Sequence, residues 1–194
     1  KATDGSLYAG IIDNDGSGSY VRKCASDCEL TASWSDAGNL PFADQLDGDI
    51  VLMPLAGGDI LGMNQRDGSG GWWWSKYTRA TNSWSAQALI PGATNVQNDS
   101  YKSSWGATVN PNNFDIYLVR NYEPRQNGGR IDPFVFSSGT WTQKPDLEHG
   151  NSEIYSTSFA INPNDSKVYA VTVDRNHSAD VVIRSSDVPL GPPS

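Results

Sequence analysis

Val109-Asn110-Pro111-Asn112-Asn113-Phe114-Asp115-Ile116-Tyr117 and Ile161-Asn162-Pro163-Asn164-Asp165-Ser166-Lys167-Val168-Tyr169 are two copies of one local pattern, offset by 52 residues. Each runs from an aliphatic residue through Asn-Pro-Asn to an aliphatic–tyrosine pair. Asparagine and proline favour a tight turn, and a large apolar pair after it favours the start of a strand. Leu7-Tyr8 and Ile60-Leu61 are pairs of the same kind earlier in the chain. A second recurring signal is a tryptophan between small hydroxylated residues: Ser33-Trp34-Ser35, Ser83-Trp84-Ser85 and Thr140-Trp141-Thr142. These tryptophans are spaced by 50 and 57 residues.

A period near fifty with strand-like units is the mark of a β-propeller, built from blades of four antiparallel strands. The expected fold is therefore all-β. Labelling the strands of each unit a to d, the third unit reads as 104–109, 115–121, 131–137 and 140–144. The second reads as 50–53, 59–64, 72–78 and 83–88. The first starts at strand b (6–12), continues with c (20–23) and ends with d (30–35). The fourth has a (157–161), b (167–173) and c (181–185). Approximate unit bounds are 4–45, 46–100, 101–153 and 154–188, with 189–194 a linker or cut end because its prolines cannot continue a ladder. Roughly three and a half blades do not close a ring, so the chain is expected to be part of a propeller of about six to eight blades. Either a longer polypeptide or other protomers would supply the rest. The chain opens on Lys1, which reads as a processed or excised piece.

Composition agrees with strands and turns. The 194 residues include 19 Gly, 11 Pro and seven Trp, and no window carries a 3.6-residue apolar stripe, so almost no helix is expected. The net charge is −8 with basic residues scattered, which argues against nucleic acid as a partner. No stretch is long and apolar enough for a membrane-inserting helix. Cys24 and Cys28 are the only cysteines, placed where other units have a hairpin turn. Two cysteines with distant His149 and His177 do not make a zinc spacing. A disulfide is the favoured reading, with two reduced thiols as the alternative; a disulfide implies an oxidising compartment. Sequons at Asn98, Asn164 and Asn176 are compatible with secretion.

The c–d segments resemble the Asp-box (BNR) repeat of sialidase-like propellers, whose pattern is Ser-X-Asp-X-Gly-X-Thr-Trp. Ser185-Ser186-Asp187 matches its opening and Gly139-Thr140-Trp141 its close, while Ser33-Trp34-Ser35-Asp36 and Ser83-Trp84-Ser85 look like the strand after a box. No unit carries the whole pattern. The resemblance implies an extracellular or surface propeller exposed to glycans, either a binding module or an exo-acting glycoside hydrolase. It also implies that the functional face is built by b–c and d–a loops, here 40–48, 91–100 and 147–153 with the Gly-rich b–c turns. Sialidase-type catalysis needs three arginines, a Tyr–Glu pair and an acid. Arg66, Arg120, Arg125 and Arg130, with Asp44, Asp47, Glu123, Glu148 and Glu153, match no such set residue by residue, and no catalytic residue is assigned.

Trp72-Trp73-Trp74 is the strongest candidate for ligand contact. Alternation puts Trp72 and Trp74 on one face and Trp73 on the other. Indole faces either pack between blades or stack on the apolar C–H patch of a sugar ring. The expected glycan-contact set is Trp72, Trp74, Tyr77, Asp67 and Arg130. No cofactor is expected, with one alternative: Asp13, Asp15 and Ser17 mimic the first half of a calcium loop. Its closing acid is missing, since position twelve is Cys24, and a hairpin loop accounts for the stretch as well. The leading function is glycan binding without catalysis. The alternatives are a glycosidase completed elsewhere, and a structural protein whose exposed edge strands pair between protomers.

Overall fold

The computed structural model describes residues 1–13, 18–41, 50–66, 71–94, 105–122, 130–145, 148–149, 154–162, 164–165, 167–174 and 180–185. They form four antiparallel sheets in chain order, divided between two compact units, Lys1–Asp99 and Ser100–Ser194. The fold is all-β, built of propeller blades. Apart from two three-residue 3-10 turns, the described residues contain no helix.

The first unit holds two sheets. One is β1 (Leu7–Asp13), β2 (Gly18–Cys24) and β3 (Trp34–Asn39), ordered β1-β2-β3. The other is β4 (Ile50–Pro54), β5 (Ile60–Arg66), β6 (Gly71–Thr78) and β7 (Ser83–Trp84) in sequence order, with β8 (Ala88–Thr94) also pairing β6. The second unit likewise holds two. β9 (Trp105–Val109), β10 (Ile116–Tyr122), β11 (Arg130–Ser137) and β12 (Thr140–Gln143) form a meander, and the short β13 (Glu148–His149) pairs β11. β14 (Ile154–Ile161), β15 (Val168–Asp174) and β16 (Asp180–Ser185) form the last sheet.

A backbone bond closing a four- or five-residue turn recurs four times and precedes every strand b. Ala2 N–H donates to Ser6 O, Leu55 to Asp59, Asn110 to Asp115 and Asn162 to Lys167, each at 2.8–2.9 Å. In the Asn-Pro-Asn copies an Asx bond tightens the turn, as Asn110 Oδ1 and Asn162 Oδ1 accept from the N–H two residues on at 3.0 Å. The residue after each closing acceptor is Leu7, Ile60, Ile116 or Val168, the first residue of β1, β5, β10 and β15. The next is Tyr8, Leu61, Tyr117 or Tyr169. Alternation then gives each sheet two distinct faces.

Sheets stack by opposing these faces. Between the first two, Tyr8 and Val21 from one side meet Ile60, Tyr77, Ile50, Leu52 and Trp73 from the other. Trp84 adds a directional tie, its Nε1 donating to Ala37 O at 3.0 Å, and its ring lies 5.3 Å from that of Tyr77. In the second unit Tyr117, Val119 and Val135 meet Val168 and Phe159. Glycine makes room at both contacts. A Cβ on Gly10 would stand 2.9 Å from Ile50 Cγ2, and one on Gly106 would collide with the Phe159 ring.

An ionic clamp joins the turns of the first unit. Arg79 Nη1 lies 2.6 Å from Asp4 Oδ2, Arg79 N–H donates to Asp59 Oδ1 at 3.0 Å, and Lys76 Nζ lies 2.7 Å from Asp59 Oδ2. The Ser6 N–H donated to Asp4, with Arg79 behind it, holds that carboxyl below its ordinary value. Burial alone would raise Asp59, but Lys76 and the Arg79 N–H overcome it and hold it low as well.

Strand positions follow the sequence expectation closely, but β8 and β13 take up parts of the expected 91–100 and 147–153 loops, β14 begins at Ile154 rather than 157, and strand d differs in two places. In the first unit strand d begins at Trp34 rather than near residue 30. The Cys24–Cys28 disulfide (Cα–Cα 5.7 Å) and the 3-10 turn Thr31–Ser33 occupy the intervening residues, and Trp34 Nε1 donates to Cys28 O at 3.0 Å. In the second sheet, β4 to β8, strand d is broken. Ser85 Oγ takes the Lys76 N–H at 3.0 Å and Ser85 O accepts from Ser75 Oγ at 2.7 Å, so pairing resumes only at Ala88.

Two outcomes follow from this packing. Gly106→Ala should cost about 1–3 kcal/mol in urea unfolding, the usual range for overpacking; an unchanged midpoint would show that the two sheets are not pressed together there. Because both carboxyls titrate lower in the folded chain, their contribution is present at neutral pH and is lost as pH falls below about 4. Thermal melts should therefore show an acid loss that is smaller in an Asp4→Asn, Asp59→Asn double variant.

Candidate functional site

The triple tryptophan sits in β6, the inner strand of its sheet, and the pleat assigns each indole a different environment. Trp72 has no exposed surface. It shares a face with the fully buried Leu61 and Met63. Trp73, on the opposite face beside its register partner Asn64, packs against the inter-sheet core. Trp74 is half-buried, flanked across the strands by Met63 and Ala88. A stacking platform needs accessible ring surface, and of the two indoles on the Trp72 side only Trp74 keeps any exposure.

Tyr77 stands apart from Trp74. It lies three residues on and so faces the opposite way, with its ring 5.8 Å from Tyr8 in an edge-on contact. Its hydroxyl donates to Asn82 Oδ1 at 2.6 Å, and burial raises its pKa. Burial likewise pushes the Tyr8 phenol up to about 12. Both phenols therefore stay neutral and serve the core.

Asp67, Asp15 and Ser17 lie outside the described residues, as do Asp44, Asp47, Glu123, Arg125 and Glu153. Asp13 is the last residue of β1, paired with Gly18, and Arg130 is the first of β11, paired with Tyr122 and His149. Arg66 and Arg120 stand at or near the far ends of β5 and β10. Among the described residues no three His, Cys, Asp or Glu side chains gather in a metal-binding group.

Two buried polar residues escaped the sequence reading. Asn64 and Asp132 have no exposed surface. Asp132 is the register partner of Arg120 and shares its face with Phe134 and Phe136. The signal was present: in Ile131-Asp132-Pro133-Phe134-Val135-Phe136 a lone carboxylate stands in an otherwise apolar run. A carboxylate is buried only where charge or hydrogen bonds compensate its lost water.

No protein-family model matches the chain, and no curated protein matches its sequence. Solved structures do match its fold. The intramolecular trans-sialidase from Ruminococcus gnavus, in complex with oseltamivir carboxylate, superposes with a TM-score of 0.58 at 8% identity over 96% of this chain and 42% of that one. The leech intramolecular trans-sialidase, complexed with 2,7-anhydro-Neu5Ac, gives 0.57 at 12% identity over 96% and 30%. The fungal Aleuria aurantia lectin, a six-bladed β-propeller with a fucose recognition mode, gives 0.53 at 16% over 98% and 62%. The chain thus spans less than two thirds of each of these proteins, and the likeness establishes a shared propeller fold.

The burial contrast makes a prediction on stability. Trp72→Ala should cost about 3–5 kcal/mol, as for other fully buried tryptophans, and Trp74→Ala clearly less. Equal losses by denaturant titration would place Trp74 in the core and remove it as a platform.

Proposed function

We propose that the chain is part of an extracellular or surface-displayed propeller that binds glycans without cleaving them. The observation that carries the reading is the half-buried Trp74 beside a buried Trp72, one indole wholly enclosed and its neighbour partly exposed. Support comes from the fold shared with a fucose-recognising lectin and two trans-sialidases. The Cys24–Cys28 bridge fits an oxidising compartment. Arg130 and Asp67 belong to the same reading as flanking polar contacts from the b–c end. The loop Asp13, Asp15 and Ser17 is a candidate for loosely held calcium in that reading.

A second reading, an exo-acting glycoside hydrolase with residues supplied beyond this segment, draws on the two trans-sialidase likenesses and on buried Asp132 beside Arg120. One assay separates them. Sialylated and fucosylated oligosaccharides are presented on an array and, in parallel, incubated in solution with product analysis. Saturable retention without product, weakened about tenfold or more (roughly 1.4 kcal/mol) in Trp74→Ala with the fold intact, is the expected result. Sugar release would move the chain to the hydrolases. Neither retention nor release would end both readings.

A further inference from the structure

Corresponding positions of strand b across the four sheets show two exceptions in burial. Ile60, Ile116 and Val168 are 0–3% exposed, whereas Leu7, at the same place after the same turn, is 36% exposed. Around it on that face of the first sheet stand Ala9 and Ile11 with Tyr20 and Arg22 across the strand pair.

The second exception is on the opposite kind of face in the last sheet. Tyr117 and Val119 in β10 are 0–1% exposed because Val168 and Phe159 cover them. Counting from the recurring turn, Tyr169 and Val171 hold the same two positions in β15 and are the same two residue types. Val171 is nevertheless 39% exposed, and Tyr169 is only half-buried. Leu7, Val171 and Leu30 are the exposed large apolar side chains among the described residues, so two of the three fall on these faces.

The two faces are of complementary type. In the second unit a Tyr-X-Val face receives a sheet that opens with Val168, and in the first unit Tyr8 and Val21 receive one that opens with Ile60. A face opening with Leu7 is what Tyr169 and Val171 are shaped to receive, and a single chain carries both halves. We propose that a second copy of this chain covers these faces, the Leu7 face of one copy packing on the Tyr169–Val171 face of another. The contact is heterologous, with different surfaces on its two sides.

The test uses the whole chain and its mass in solution, by light scattering across a concentration series. Wild-type protein is expected to associate. Leu7→Asp alone and Val171→Asp alone should weaken association at least tenfold while keeping the wild-type circular dichroism and melting point. Mixed in equal amounts, the two variants should form a one-to-one pair, because each retains the face that the other has lost. Simple destabilisation would not produce that rescue. A wild-type chain monomeric at every concentration would overturn the proposal and leave the faces to further sheets of its own polypeptide. A mixture that stays monomeric would overturn it equally.

Discussion

The structure depends on a turn that ends in a committed apolar residue. Closing the bond from Ala2, Leu55, Asn110 or Asn162 to the acceptor before strand b leaves the chain no freedom over which side the next residue takes. Ile60 and Val168 are thereby aimed at the neighbouring sheet in their own unit. A buried aliphatic side chain of that size contributes about 1.5–3 kcal/mol. A slip of one residue would turn the whole strand over and send that gain to solvent. Register and sheet stacking, and with them the place of the candidate strand β6, follow from this one choice.

The same constraint explains why the fold could be read from the chain while the site could be read only in part. The pairs Leu7-Tyr8, Ile60-Leu61, Ile116-Tyr117 and Val168-Tyr169 are local, and each pair does begin a strand. Trp34, Trp84 and Trp141 likewise open or belong to the strand after the c–d turn. Strand d of the first sheet starts late because the 3-10 turn Thr31–Ser33 takes up its expected opening. The break at Ser85 arises from hydroxyl bonds to Ser75 and Lys76, which a propensity scale does not see.

For the triple tryptophan, alternation separated Trp73 from its neighbours, but burial decided between Trp72 and Trp74. Burial is set by what stacks on a face, which is non-local. Tyr77, expected either in the contact set or as a core or rim residue, has the opposite parity to Trp74 and packs against Tyr8 and Trp84. Asn64 and Asp132 are polar residues set in strands buried on both faces. The glycan reading therefore rests on one partly exposed indole and a shared fold.

Amide hydrogen exchange tests the central claim most directly, because it reports each strand separately. If every strand b is fixed by its turn and covered by a neighbouring sheet, the amides of 61–64 in β5 and 117–120 in β10 should be among the slowest to exchange. Those of β1, an edge strand with one face open, should exchange faster. Equal, loop-like exchange across β1, β5 and β10 would contradict the account at its root.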